Sequence, residues 1–274
     1  MSDERPDNAR ADGATAESGP PIRRPQGPVR MIAPEEFGGW VTFEDERLLV
    51  LNKPGDVVCH PSKAGPWSSL VGAAREYAGR ETMHLIFRLD RETSGVVVLA
   101  KDPAMASRLQ KAMQQRRVGK SYLAVLVGEL SETAIVDQPL GDDESGPVTI
   151  KTCVRPDGRA AQTRFDPIAV SGGCTLARVV TESGRKHQIR AHAQWLGHAL
   201  VGDKIYGPDQ RLYLEFIATG WTPKLEAVLS LPRQALHCAE IDLRMTGMSH
   251  VFTASMPEDM RAFCAAHGLD AQGL

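Results

Sequence analysis

The chain reads as an α+β protein whose mixed, largely antiparallel sheet is flanked by helices. Short apolar runs of strand length, such as Leu48-Leu49-Val50-Leu51 and Val96 to Ala100, are interspersed with segments of helical period. Between 149 and 181, three alternating runs are separated by glycine turns at Gly158 and Gly172-Gly173, the spacing of hairpins. The order of strands and helices has no regular strand–helix–strand rhythm and no internal repeat, which argues against a doubly wound parallel sheet.

Residues 1 to 30 are rich in Pro, Gly, Ala and charge and poor in large apolar side chains, so a disordered tail is expected there. Residues 31 to 274 are expected to form one domain, with order beginning near Trp40-Val41-Thr42-Phe43. Leu48 to Leu51 is a short strand ended by the turn Asn52-Lys53-Pro54-Gly55. Ser68 to Ala78 has helical period, and Val96 to Ala100 is apolar throughout, as a strand buried on both faces would be. Asp102-Pro103 supplies an N-cap and a proline at the first helical position. The helix that follows sets Met105, Leu109, Ala112 and Met113 on one face and Arg108, Lys111 and Gln115 on the other.

Tyr122 to Val127 is a strand, followed by strands over 149–154, 162–170 and 175–181. A helix is expected from Lys186 to Trp195, a turn from Gly202 to Gly207, and one or two helices between 209 and 229. Strands near 235–244 and 250–254 precede a last helix that opens at Pro257 and closes at Gly268.

Composition narrows the class. No apolar run approaches the roughly 18 residues of a membrane span, and the N-terminus has no apolar core of a secretory signal. Five scattered cysteines without a CxxC pair read as reduced thiols, so a cytoplasmic protein is expected, with no metal and no cofactor. Cys264 and His267 make a possible ligand pair but lack companions. The net charge of −2 speaks mildly against a nucleic-acid partner, yet the charge is unevenly spread. Lys101, Arg108, Lys111, Arg116, Arg117 and Lys120 face a single acid, Asp102, over that stretch, and Arg178, Arg185, Lys186 and Arg190 face Glu182. Two such clusters suit a phosphate-contacting rim.

The most informative stretch is Phe87-Arg88-Leu89-Asp90-Arg91-Glu92-Thr93-Ser94-Gly95. A lone acid between two arginines, at the edge of an apolar strand, stays ionised and can act as base or nucleophile. This stretch resembles the catalytic motif of the RluA-type pseudouridine synthases, which convert uridine in RNA to its C-glycoside isomer. The resemblance runs on through Leu49-Val50-Leu51-Asn52-Lys53-Pro54-Gly55 with Val58-Cys59-His60-Pro61, and through Val118 to Ala124. It continues in Gly184-Arg185-Lys186-His187-Gln188-Ile189-Arg190-Ala191-His192 with Gly202-Asp203-Tyr206-Gly207, and closes on Ala235-Leu236-His237-Cys238. Five blocks in the family's order cover about three quarters of the chain.

The resemblance implies a pseudouridine-synthase-like catalytic domain over 31–274, working without cofactor, as a monomer, on ribosomal or transfer RNA. Asp90 would be the catalytic carboxylate, Arg190 its ion-pair partner, and Tyr122 the stacking surface and proton relay for an extruded uracil. Arg88 would project toward the RNA and fill the gap left by the flipped base, with Arg91, Lys120, Arg185 and His187 also contacting RNA. The chemistry accounts for the acid on its own terms. As the glycosidic bond breaks, the sugar gains positive character that an ionised carboxylate stabilises or traps covalently; alternatively the carboxylate removes a sugar proton to give a glycal.

His187, His192 and His198 lie close in sequence but not at i, i+4 spacing, and are expected to order the loop or touch phosphate. Two positions depart from the family's pattern: Phe87 stands where many relatives have His, and Lys186 where they have a small hydroxyl residue. With no room for a small N-terminal RNA-binding domain, target selection is expected to rest on the catalytic domain. The competing reading is a non-catalytic RNA-binding or ribosome-assembly protein on the same fold. A glycoside hydrolase would need a second motif-bound carboxylate, which is not evident.

Overall fold

The computed structural model describes residues 30–60 and 64–274; the expectation for the N-terminal tail falls almost wholly outside them. Order begins earlier than the apolar pattern suggests. A short helix α1 (Pro34–Gly39) opens with proline and two glutamates in its first turn and buries Phe37 against Trp40 and Tyr77. Then follow β1 (Val41–Glu44), β2 (Leu48–Lys53), α2 (Leu70–Ala78), β3 (His84–Leu85) and β4 (Ser94–Ala100). Ser69 caps α2 by accepting from Gly72 N, and Gly79 ends it in the left-handed region. Helix α3 (Pro103–Gln114) begins as expected, with the Asp102 carboxylate accepting from Met105 N.

The chain continues through β5 (Gly119–Val127), β6 (Ala134–Asp137), β7 (Leu140–Asp142), β8 (Thr152–Val154), β9 (Gln162–Ser171) and β10 (Cys174–Thr181). Helices α4 (Gln188–Trp195), α5 (Arg211–Thr219) and α6 (Pro223–Leu229) come next, then β11 (Leu236–Asp242), β12 (Val251–Thr253) and α7 (Glu258–Ala266). Among the described residues, ten strands make one sheet with the path β1-β2-β4-β11-β5-β10-β9-β6; β3 adds to β4 and β12 to β11, while β7 and β8 pair separately. Every pairing is antiparallel except β4 with β11. The sheet is mixed and largely antiparallel, as its sequence indicates.

The period-2 alternation of strand side chains explains why β5 is apolar almost throughout. Tyr122, Ala124 and Leu126 face the larger core, which includes α1, α2 and α3. Leu123 and Val125 face a second core built with Met260, Phe263 and Cys264 of α7. The one parallel seam depends on a glycine: Gly95 has φ of +111°, and a Cβ there would stand 2.2 Å from the Cys238 carbonyl oxygen. That close approach fixes where β4 begins, and so where the loop carrying Asp90 ends.

Candidate active site

Asp90 sits in the loop between β3 and β4, and its neighbours are held by buried cations reaching from elsewhere. Lys53, itself fully buried, donates to the carbonyls of Pro54, Val57 and Arg91. Burial lowers its pKa to about 8. Lys204 donates to the Glu92 carboxylate at 2.7 Å and to the Pro232 carbonyl. Arg233 reaches the Glu92 carbonyl while pairing bidentately with Asp259, and Gln234 donates to Thr93 Oγ1. A loop tied down at successive residues cannot wander, so the carboxylate of Asp90 has a defined position.

Arg190, on the first turn of α4, meets that carboxylate: its Nη1 donates to Asp90 Oδ2 at 3.0 Å. The opposite edge of the guanidinium is taken by Asp203, with Nε at 2.6 Å from Oδ2 and Nη2 at 2.8 Å from Oδ1. Asp203 is wholly buried, and its Oδ1 also accepts from the backbone N–H of Ile205 and Tyr206. The guanidinium lies 4.9 Å from the centre of the Tyr206 ring.

Burial pushes the Asp90 carboxyl up, but the charges of His187 and Arg190 outweigh it, and its pKa falls below the usual carboxylate value. Asp203 is likewise lowered, burial being overcome by Arg190. Burial works against the Arg190 charge, and the two carboxylates more than restore it. The side chain of Asp90 keeps 22% exposure while that of Asp203 has none, so of the two acids only Asp90 faces outward.

His187 adopts a left-handed conformation (φ 54°) just before α4, its Nε2 3.9 Å from Asp90 Oδ2. Its Nδ1 is 3.0 Å from the Tyr206 hydroxyl, which accepts from Thr152 N at 2.8 Å. The buried hydroxyl has one proton to donate, and Nδ1 is positioned to accept it, which leaves the hydrogen on Nε2, facing Asp90. Burial, reinforced by Arg190, lowers the His187 pKa to about 4, so the ring is neutral at physiological pH and charged in the acid range where Asp90 titrates.

A cavity of about 1010 Å³ opens over Asp90. Arg88, Arg91, His187 and Arg190 line its polar side, and Tyr213 and Phe216 of α5 its apolar side. Arg88 is exposed; Arg91 is exposed and donates to the Asp56 carbonyl at 3.3 Å.

Three other candidates, Tyr122, Lys120 and Arg185, are not among the residues that line the cavity. Tyr122 is 8% exposed, its hydroxyl hydrogen-bonded to the Cys238 thiol. Burial, with the nearby Cys238 and Asp90, holds its pKa well above the usual phenol value. Lys120, expected at the RNA, is buried and donates to the Ser183 carbonyl at 2.9 Å. Its aliphatic stem follows an inward-facing β5 position, a destination that charge alone does not reveal. Arg185 is exposed, donating to the Ala160 carbonyl at 3.3 Å.

His192 is wholly buried between Thr163 Oγ1 and the Gln138 carbonyl, so it orders the interior and does not reach phosphate. His198 bonds the Val127 carbonyl. Phe87 packs at the edge of the larger core, and Lys186 pairs with Asp142. Among the described residues, none of the basic side chains from Lys101 to Lys120 lines the cavity over Asp90. Sequence reasoning leaves Asp203 and Tyr206 without roles; both stand in the block around Gly202 and Gly207, which is the signal available.

The profile of the RNA pseudouridylate synthases matches residues 47–195, more than half of the chain and the stretch containing Asp90, Tyr122 and Arg190. The chain belongs to the RNA pseudouridylate synthase family. Curated relatives include ribosomal large subunit pseudouridine synthase D of Nitrosomonas europaea, 32% identical over 82% of this chain and 64% of the relative. The protein of the same name from Vibrio parahaemolyticus is 32% identical over 85% of this chain and 71% of the relative. An uncharacterized RNA pseudouridine synthase of Chloroflexus aurantiacus is 36% identical over 77% and 63%. The chain spans 63% to 72% of the length of these and similar relatives. The fold is shared with the solved human RNA pseudouridylate synthase domain containing 4, at a TM-score of 0.67 and 23% identity over 85% of this chain and 94% of that one.

Proposed function

We propose that this protein isomerises uridine to pseudouridine in RNA, with Asp90 as its catalytic carboxylate. The observation that carries the reading is the carboxylate itself: ionised, anchored through one oxygen to Arg190, and part of the wall of the cavity. Asp90 Oδ1 accepts no hydrogen bond from any described residue, so it is available to the sugar of a bound nucleotide. A negative charge there stabilises the positive character of the ribose as the glycosidic bond breaks, whether the carboxylate then bonds to the sugar or removes its proton. The freed uracil turns and rejoins through carbon 5, and the proton on that carbon departs.

Tyr122, kept protonated by its surroundings, is proposed to border the uracil and relay that proton through its hydroxyl. The target must leave the helical stack to reach the cavity, and the exposed Arg88 on the rim is proposed to fill the space it vacates. Arg91, Arg185 and His187 are proposed to contact RNA around the site, and Lys120 to support it from beneath through Ser183.

The names of the curated relatives favour large-subunit ribosomal RNA as the substrate. Release of tritium from RNA carrying 5-tritiated uridine tests the activity directly. Stoichiometric release with pseudouridine in the digest is expected; RNA binding without release would instead support the non-catalytic reading. Mapping pseudouridine in total RNA with and without the gene then identifies the target.

A further inference from the structure

We propose that the face of α5 bearing Tyr213, Phe216 and Ile217 is a second nucleotide subsite: the base adjoining the target uridine leaves its own stack and lies on the Tyr213 ring. This deepens the activity proposed for Asp90 and rests on it. It names the substrate as an unpaired stretch of RNA from which two neighbouring bases are drawn out together.

Ligand cavities span roughly 300–1,000 Å³, and the one over Asp90, at about 1010 Å³, stands at the top of that range. One nucleotide is among the smaller occupants such a cavity takes, so a uridine at Asp90 leaves room beside it. Tyr213, Phe216 and Ile217 follow the i, i+3, i+4 spacing of one helix face, and all three line that room. Helix α5 is anchored through Leu212, buried with Leu225 and Leu229 of α6, while the three cavity residues stay half-buried. Tyr213 packs against the small core that includes Ile205 and Tyr206, which limits its movement. Its hydroxyl has no hydrogen-bond partner among the described residues, unlike that of Tyr206, shared between Thr152 N and His187 Nδ1. A braced ring with an unclaimed hydroxyl, at the wall of a cavity, is free to take a base.

Charge complements the apolar wall. On the polar side of the cavity Arg88 and Arg91 are exposed, and among the described residues neither is in an ion pair. A cationic wall with an aromatic one is the arrangement that holds single-stranded nucleic acid, phosphates on the cations and bases on the rings. Burial, with Glu92 nearby, keeps the Tyr213 phenol above its usual pKa, so the ring stays neutral beside a phosphate chain. The two subsites are also tied together. Lys204 donates to the Glu92 carboxylate at 2.7 Å, and its ammonium lies 4.4 Å from the centre of the Phe216 ring. Glu92 stands two residues after Asp90, so this contact sets the spacing between the carboxylate and the α5 face.

The probe is a short single-stranded RNA that carries bases only at a central uridine and at one neighbour, an adenine, with every other position abasic. Its reference carries the uridine base alone. For the parent protein, adenine on one side of the uridine should tighten binding about 5- to 150-fold over the reference, the range for one base–aromatic stack. Tyr213→Ala should abolish that gain, and Tyr213→Phe, which keeps the ring, should retain it.

No gain from a neighbour on either side would overturn the subsite, as would a gain that survives Tyr213→Ala or is lost in Tyr213→Phe. Should the alanine variant not fold, Tyr213→Leu fills the space without an aromatic face and must lose the gain in the same way. Binding is measured without turnover, so the two proposals fail separately. A parent that shows the gain but releases no tritium from 5-tritiated uridine RNA would count against Asp90 and leave the subsite standing. A parent that releases tritium but ignores the neighbouring base would do the reverse.

Discussion

Asp90 and Asn differ by one oxygen, and the role proposed for Asp90 depends on the charge that oxygen carries. Asp90→Asn keeps shape and an acceptor for Arg190 but loses the ionised group. Tritium release should fall to background while RNA affinity stays within a few fold; turnover near the parental level would remove Asp90 from the mechanism. At this scale the sequence is partly informative. Asp90 and Arg190, 100 residues apart, are paired by their motifs, and the 3.0 Å contact is there. Asp203 is not distinguished, because an aspartate in a Gly-Asp turn reads first as a turn former. Lys120 reads as a surface cation because residue type reports charge and not the path of a long apolar stem. His187 reads as an RNA contact; its hydrogen bond to Tyr206 and proximity to Asp90 depend on a left-handed backbone conformation that no pattern of residue types announces.

Among the elements, the parallel seam between β4 and β11 offers the sharpest test. Gly95→Ala would hold an alanine at φ of +111° and set its methyl group 2.2 Å from the Cys238 carbonyl oxygen. Backbone strain alone costs about 1–3 kcal/mol, and the clash adds to it. The urea midpoint should fall by at least that equivalent, and tritium release should suffer further because the seam ends the loop that carries Asp90; an unchanged midpoint would mean the seam is not rigid. The basic face of α3 is a second test. Arg108 and Arg117 already hold the carbonyls of Thr246 and Met245, so they brace the turn beyond β11 as well as presenting charge. If the helix also touches phosphate, neutralising Arg108, Lys111, Arg116 and Arg117 flattens the salt dependence of RNA binding by roughly 0.7–0.9 log units for each phosphate no longer neutralised. An unchanged slope would exclude α3 from the binding surface. Elements with strong period or caps, such as β4, α3 and the β9–β10 hairpin, are legible in the sequence. Helix α1 and strand β6 are not: α1 has two glycines among six residues, and β6 has four residues with alternating exposure, so neither carries an apolar signal long enough to read.

For the molecule as a whole, buried neutral histidines set the response to acid. His187 and His237 both sit at about 4, lowered from 6.5 by burial. The unfolded chain takes up their protons first, so the stability they allow is complete above 6.5 and drains as pH falls toward 4. With both out of step, the loss approaches about 3 kcal/mol per pH unit. The urea midpoint should therefore drop between pH 7.5 and pH 5, and His237→Gln should flatten part of that drop; a constant midpoint over this range would contradict the burial of neutral rings. The sharing of β5 between two cores has a consequence for synthesis. Its strand partners are β10, the nearer in sequence, and β11, more than a hundred residues downstream, which also closes the seam with β4. A nascent chain that has emerged only as far as α4 already contains Asp90 and Arg190, yet lacks Asp203, Lys204 and Arg233 and has an unpaired β4 edge. The loop that carries Asp90 thus gains its full set of restraints only when the last third of the chain has been made, and until then the β4 and β5 edges need shielding from other chains.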